Sequence, residues 1–182
     1  MYQILAIDDE ENILSALRRT LLRCPELEGR CQFEAFTIPD LALLRMREHR
    51  FDLVISDYRM PLMDGLAFLR AVRETQPEVA CIMLSGQADM TGLVGAINDV
   101  RIYRFIYKPW QEYELCGAVS SALAYQQLLA ENQRLADEVR VRDGVISRQQ
   151  LELLRLEREN PGITQVTRDA DGAVVFGPLG ED

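Results

Sequence analysis

Hydrophobic runs alternate with helical patterns over the first two thirds of the chain. Five short, mostly apolar runs predict β-strands, and they cover 2–7, 31–36, 51–57, 79–86 and 101–107. Apolar residues three and four positions apart predict helices over 12–23, 39–46, 66–72 and 90–97. Strands that are apolar almost throughout are buried on both faces, as in parallel sheets covered by helices. The pattern therefore predicts a doubly wound α/β domain with a five-stranded parallel sheet.

The reactive side chains of this sequence cluster at the ends of the predicted strands. Asp8 and Asp9 follow the first strand, Asp57 ends the third, Ser85 ends the fourth and Lys108 follows the fifth. In a doubly wound sheet the carboxyl ends of the strands line the ligand crevice, so these residues are expected at one edge. Lys108 is also the single lysine among 20 cationic residues.

Such a cluster suits phosphoryl transfer to a carboxylate. Neighbouring carboxylates repel one another and normally hold a cation, and all-oxygen ligands favour Mg²⁺ or Mn²⁺. An aspartate can act as the nucleophile, while a lysine and a hydroxyl hold the phosphoryl oxygens. The alternative is that the aspartates only cap helices, which would not explain why four strand ends are involved.

The residues of this cluster resemble the receiver domain of bacterial two-component response regulators, over roughly residues 1–125. The resemblance rests on the acidic pair 8–9, the segment 56–65, the step 85–86 and the pair 108–109. It implies a flavodoxin-like fold and a phosphoryl group accepted from a histidine kinase or a phosphotransfer protein. It also implies that the protein is a phosphorylated signalling switch and not an enzyme.

The resemblance assigns a role to each matching position. Asp57 is the expected phosphoacceptor, with Ser85 and Lys108 beside the phosphoryl group. The expected metal ligands are Asp8, Asp9, Asp57 and the backbone carbonyl of Arg59. Phe105 takes the place of the aromatic switch residue that responds to the movement of Ser85. Tyr103 and Tyr107 would share its side of the sheet if that strand is regular.

The rest of the chain divides into a helical segment, 126–160, and a short tail, 161–182. A heptad pattern with Leu and β-branched or Asn core positions favours a parallel coiled-coil dimer, in which Asn132 fixes the register. The expected core residues are Leu128, Asn132, Leu135, Val139, Ile146, Leu153 and Leu156. A single solvated helix, or one folded onto the receiver, remains the alternative. Residues 163–176 predict a hairpin with an Asp-Gly turn.

Charge and composition narrow the possible functions. The net charge of −9 argues against binding to nucleic acid, and no run is long and apolar enough to cross a membrane. The first residues lack a basic segment, which predicts a cytoplasmic protein, and its four cysteines are expected to be reduced thiols. From 111 onward there are 13 acidic and 7 basic residues and no histidine, so neither a DNA-binding nor an enzymatic output domain is expected.

Three other functions compete with the phosphorylation switch. A coiled-coil adaptor could use the receiver fold as a scaffold without phosphorylation, although the complete set of site residues argues against this. An aspartate-dependent phosphatase usually carries a second aspartate two positions after the first, where this chain has Arg59. A calcium loop at Asp169 lacks the glutamate that would follow at Gly180.

Overall fold

The computed structural model describes residues 1–86, 100–142 and 147–159. The predicted helix over 90–97 and the predicted hairpin lie outside the described residues. The chain divides into two compact units, 1–132 and 133–182.

The described part of the first unit contains one five-stranded parallel sheet, in the order β2-β1-β3-β4-β5. The strands are β1 (Tyr2–Ile7), β2 (Cys31–Phe36), β3 (Leu53–Asp57), β4 (Ala80–Ser85) and β5 (Arg104–Tyr107). β3 and β4 are buried throughout, and their side chains are apolar on both faces except for Ser56, Asp57 and Ser85 at their carboxyl ends. The doubly wound fold predicted from the sequence is confirmed, with strand ends within three residues of the predicted ones.

Helices cover both faces of the sheet. Three of them, α1 (Glu11–Leu22), α2 (Pro39–Glu48) and α3 (Gly65–Thr75), connect successive strands, and a longer helix, α4 (Glu112–Arg142), follows β5. Side chains of α1 and of the first turns of α4 form one core cluster, and those of α2 and α3 form the other. The sheet therefore lies between two apolar layers, which leaves its carboxyl edge as the place where polar groups gather.

Buried Gln76, at the end of α3, fixes the connection that leads into β3. Its side-chain oxygen accepts a hydrogen bond from the Phe51 backbone N–H (3.0 Å), and its amide nitrogen donates to the backbone oxygens of Met46 and His49 (both 2.7 Å). A buried amide with all these partners is satisfied, whereas its loss would leave three backbone groups unpaired. Gln76 thus holds the end of α2 against the start of the strand that carries Asp57.

The segment predicted as one coiled-coil helix is two helices, α4 and α5 (Arg148–Glu159). Ser147 lies outside both of them and caps α5. Its hydroxyl accepts from the Gln150 N–H (3.1 Å), and the Gln150 side chain accepts from the Ser147 N–H (2.8 Å). This reciprocal capping box starts a new helix, so the prediction of one continuous helix was wrong. Ile146 lies outside the described residues.

The expectation of four free thiols is also wrong. Cys24 and Cys116 form a disulfide with a Cα–Cα distance of 5.7 Å, while Cys31 and Cys81 are free. The two bonded residues are 92 positions apart in sequence, and only the fold brings them together.

None of the helices in the described part of the chain combines the length and the apolar character needed to cross a membrane.

Candidate functional site at the carboxyl edge of the sheet

The sheet register places the predicted site residues at one edge. Asp57 ends β3 and is paired with Leu84, one residue before Ser85 at the end of β4. Ser85 is paired with Tyr107, and its backbone oxygen accepts a hydrogen bond from the Lys108 N–H (2.9 Å). The parallel arrangement therefore places Asp57, Ser85 and Lys108 next to one another, as predicted from the strand ends.

Lys108 is bound by two carboxylates at the centre of the site. Its Nζ lies 2.6 Å from Asp8 Oδ2 and 2.5 Å from Asp57 Oδ1. Both carboxylates are buried, whereas Lys108 keeps about a fifth of its side-chain surface exposed. One ammonium group thus joins residues 100 and 51 positions away in the sequence, and the two acids point towards a common point.

Burial controls the protonation of this cluster. It raises the pKa of Asp8 and of Asp57 above the ordinary value of 3.8, although Lys108 opposes this change through its hydrogen bonds and charge. Burial also opposes the charge on Lys108, but its hydrogen bonds to Asp57 and Asp8 outweigh this effect and raise the Lys108 pKa. Two buried acids with one base leave the cluster short of positive charge, so a further cation would be favourable.

The loop after β3 fixes the orientation of Asp57. The second carboxylate oxygen, Oδ2, accepts a hydrogen bond from the Arg59 backbone N–H at 2.7 Å. Gly65 lies so close that a Cβ at this position would overlap the backbone oxygen of Asp57. Asp64 caps α3 by accepting from the Ala67 N–H (2.7 Å). The loop can therefore return beside the strand end only because position 65 lacks a side chain.

Asp9 takes a different position from the other two acids. Its side chain is exposed and lines an open cavity of about 520 Å³ next to the site. The other lining residues are Tyr58, Arg59, Met60, Pro61 and Asp64. Asp9 adds negative charge that raises the Asp8 pKa, so it acts on the cluster without a direct hydrogen bond to it.

The residues present fit a magnesium ion. Among the described residues, no three His, Cys, Asp or Glu side chains form a group that could hold a metal by themselves. Mg²⁺ does not require one, since it commonly binds one or two carboxylates and keeps several waters. Here the Lys108 nitrogen already occupies the position of a cation between Asp8 and Asp57. The Arg59 carbonyl as a further ligand stays a prediction.

Ser85 and Phe105 are the two residues predicted to change position when Asp57 is phosphorylated. Ser85 is buried, and its hydroxyl donates to the Gly86 backbone oxygen at 3.1 Å. Phe105 is half-buried against the cluster formed with α2 and α3. Tyr103 packs against the opposite cluster, because it precedes β5 and does not follow the alternation of that strand. It therefore does not share the side of Phe105, contrary to the regular-strand expectation.

The sequence did not point to the Arg59 N–H. This backbone group holds Asp57 Oδ2, and a main-chain donor leaves no signature in residue type. The Gly65 requirement had a visible signal, since glycine is the residue that allows such a close approach.

Comparison with known families decides the identity of the first unit. The family model described as response regulator receiver domain matches residues 4–120. The chain belongs to this family. The strand-end acids, hydroxyl and lysine described above lie at the carboxyl edge of this receiver fold.

Two of its relatives are a transcriptional regulatory protein and a response regulator. The hydrogenase transcriptional regulatory protein HoxA of Cupriavidus necator is 32% identical over 145 residues, which are 79% of this chain and 28% of HoxA. The response regulator protein TodT of Pseudomonas putida is 28% identical over 84% of this chain and 64% of TodT. This receiver chain thus spans less than two thirds of either relative, and the predicted lack of a DNA-binding output stays a prediction.

A solved structure supports the same assignment. The signal receiver domain of an HD domain-containing protein from Pseudomonas fluorescens is 32% identical, with a TM-score of 0.64. The match covers 71% of this chain and 92% of that domain.

The raised carboxylate pKa values predict how the stability of this receiver depends on pH and metal. The stability that Asp8 and Asp57 contribute is complete below about pH 3.8 and is lost as the pH rises through their raised pKa values. Near neutral pH, Mg²⁺ should therefore stabilise the fold, by about 2.7 kcal/mol at roughly 100 times its Kd. Near pH 4.5 the gain should shrink, because protons compete for the carboxylates.

Thermal unfolding with Mg²⁺ or with a chelator, at the two pH values, measures this effect. The Asp57→Asn variant is the control and should lose most of the magnesium-dependent shift. An equal shift in this variant would mean that the ion binds elsewhere.

Proposed function

We propose that this receiver accepts a phosphoryl group on Asp57 and that this event switches protein–protein contacts. The observation that carries the proposal is the convergence of buried Asp8 and Asp57 on Lys108 at the carboxyl edge of the sheet. The donor is a histidine kinase or a phosphotransfer protein, and the proposed location is the cytoplasm. No turnover of a separate substrate is part of this function.

The chemistry needs a nucleophile and groups that neutralise the transferred charge. A carboxylate oxygen of Asp57 attacks phosphorus, and the bond to the donor nitrogen breaks with its electron pair on the donor imidazole. Lys108 then exchanges one carboxylate contact for a phosphoryl oxygen, and Ser85 can turn its hydroxyl from Gly86 to another such oxygen. Asp8, Asp9, Asp57 and the Arg59 carbonyl would hold Mg²⁺ or Mn²⁺, which would supply positive charge next to the transferred group.

The test of this function uses a small phosphodonor. The full chain incubated with acetyl phosphate and Mg²⁺ should take up close to one phosphoryl group per chain, as seen by intact-protein mass, and a chelator should prevent this. Uptake without metal, or steady hydrolysis of the donor without a labelled protein, would count against the proposal.

The outer face of α4 supports a dimer of this chain. Leu128, Leu135 and Val139 are 58%, 46% and 45% exposed. Together with Asn132 they recur at the alternating four- and three-residue spacing of a coiled-coil seam. Asn132 lies between them and is also exposed. Leu153 and Leu156 lie on the separate helix α5 and are not part of the seam proposed on α4. We propose that α4 pairs with its counterpart in a second copy.

Leu135→Glu should disrupt this dimer. The substitution removes a leucine that is buried in the dimer interface. It also places two carboxylates, one from each copy, opposite each other across the seam. Together these effects should weaken pairing by roughly 3 kcal/mol, or about a hundredfold. Light scattering measures the effect as a fall from twice the mass of 20.8 kDa to the mass of one chain.

Ala130→Glu is the matched control, since Ala130 is exposed on the same helix but lies off the seam. It should remain dimeric. A wild-type protein that is monomeric both with and without beryllofluoride would contradict the proposed dimer.

A further inference from the structure

The Cys24–Cys116 bond joins the end of the first helix of the receiver fold to the start of its last helix. Cys24 lies two residues after α1, and Cys116 lies near the start of α4. The two cysteines are 92 positions apart in sequence. The segment between them carries Asp57, Ser85 and Lys108, whereas Asp8 and Asp9 precede it. The bond therefore fixes the beginning of α4 to the end of α1, within the core cluster that both helices share.

Cys24 and Cys116 differ in their exposure to solvent. Cys24 has no exposed surface, whereas Cys116 is half-buried at the edge of the same cluster. Thiol–disulfide exchange requires a thiolate to approach one sulfur along a free path, and access decides which sulfur is attacked. Cys116 is the side from which this bond can be opened while the core around Cys24 stays folded.

The remaining cysteines distinguish this chain from a disulfide-stabilised scaffold. Cys31 is half-buried and free, and Cys81 is buried and free. Proteins that depend on disulfides for folding usually pair their cysteines, and in the cytoplasm proposed above a disulfide is more often formed and broken in redox signalling. One bonded pair beside a free, partly accessible thiol fits the second situation.

We propose that Cys24 and Cys116 form a reversible redox site that sets how firmly the first turns of α4 are held to the receiver. A dithiol reductant opens the site: its thiolate attacks Cys116 Sγ, the bond to Cys24 breaks, and the electron pair leaves on Cys24 Sγ. The second thiolate of the reductant then displaces the Cys116 thiolate and closes the reductant's own disulfide. Two electrons and two protons pass to the two cysteines. A small-molecule disulfide reverses the process and is reduced to two thiols.

The bonded and open forms should differ in stability and not in phosphoryl chemistry. The bond restricts the unfolded chain over a long loop, so opening it should lower the thermal midpoint by roughly 10 °C. Neither step of the thiol–disulfide exchange involves Asp8, Asp57, Ser85 or Lys108. Uptake of phosphate from acetyl phosphate should therefore be similar in both forms. Failure of the proposed phosphorylation would therefore leave this result unaffected.

The experiment compares the full chain after treatment with glutathione disulfide and after reduction with dithiothreitol. Oxidised protein should have two titratable thiols fewer than reduced protein and the higher midpoint, and native oxidised protein should be reduced faster than it unfolds globally. Cys116→Ser should abolish the redox dependence, while Cys31→Ser, which changes a half-buried free thiol, should keep it. Equal thiol counts after both treatments would overturn the proposal. Reduction that occurs only at the rate of global unfolding would also overturn the proposal, because the bond would then be a structural disulfide that cannot open in the folded protein.

Discussion

Asp57→Asn is expected to abolish phosphate uptake from acetyl phosphate and from a kinase donor. The amide cannot act as the nucleophile, because its oxygen carries no full charge and its nitrogen electrons are delocalised. No phosphate uptake should be detectable in this variant, and beryllofluoride should no longer induce a conformational change. Intact-protein mass and a conformational probe such as amide exchange measure the two effects on the same samples.

Asp64→Asn is the matched control for this variant. Asp64 lies in the same loop and caps α3 through the Ala67 N–H, and asparagine caps a helix about as well as aspartate. It should take up phosphate like the wild type. If Asp57→Asn still responded to beryllofluoride, the receiver would act as a scaffold without phosphorylation, and the adaptor function would replace the switch.

Lys108→Gln is expected to have the second largest effect. Glutamine keeps much of the length of the side chain but removes the charge that lies 2.6 Å from Asp8 and 2.5 Å from Asp57. A hydrogen bond from a charged donor contributes about 1.5–3 kcal/mol, which corresponds to roughly a ten- to hundredfold slower uptake of phosphate. Intact-protein mass, measured on samples quenched at a series of times, gives the rate of phosphate uptake.

The effect of Lys108→Gln should depend on position and not on total charge. Arg104→Gln removes a cation from an exposed position of β5 and serves as the control. It should leave the rate of uptake within about twofold of the wild type, since exposed charges contribute little at physiological salt. Equal losses in both variants would mean that Lys108 acts through the overall field and not through contact.

The positions of the site residues were predictable because a parallel sheet converts sequence order into spatial order. Every strand of such a sheet points the same way, so residues that end separate apolar runs meet at one edge. Asp57 and Lys108 are 51 residues apart in sequence and yet are in contact. The sequence pattern sufficed for this inference because it depends only on where each strand ends.

Features that depend on the packing of distant side chains could not be predicted in this way. The Cys24–Cys116 bond requires the end of α1 to meet the start of α4, and the spacing of the cysteines does not indicate this. Gln76 looks like an ordinary surface residue in sequence, but three buried backbone groups make it a core residue.

The C-terminal helices show how a strong periodic pattern can hide a local signal. The heptad spacing favoured one helix over 126–160, because leucines recur at the required positions on both sides of residue 147. Ser147 and Gln150 nevertheless have the residue types and spacing of a capping box, which starts a helix. Local capping interactions therefore decided the helix boundary against the longer pattern.

The most direct test of the account is to locate the phosphoryl group itself. An acyl phosphate on aspartate can be reduced with borohydride to homoserine, which marks the residue permanently for peptide mass spectrometry. After treatment with acetyl phosphate and Mg²⁺, homoserine is expected at position 57 and at no other aspartate. Homoserine at Asp8, Asp9 or Asp64, or a phosphate group on a serine or histidine, would contradict the account.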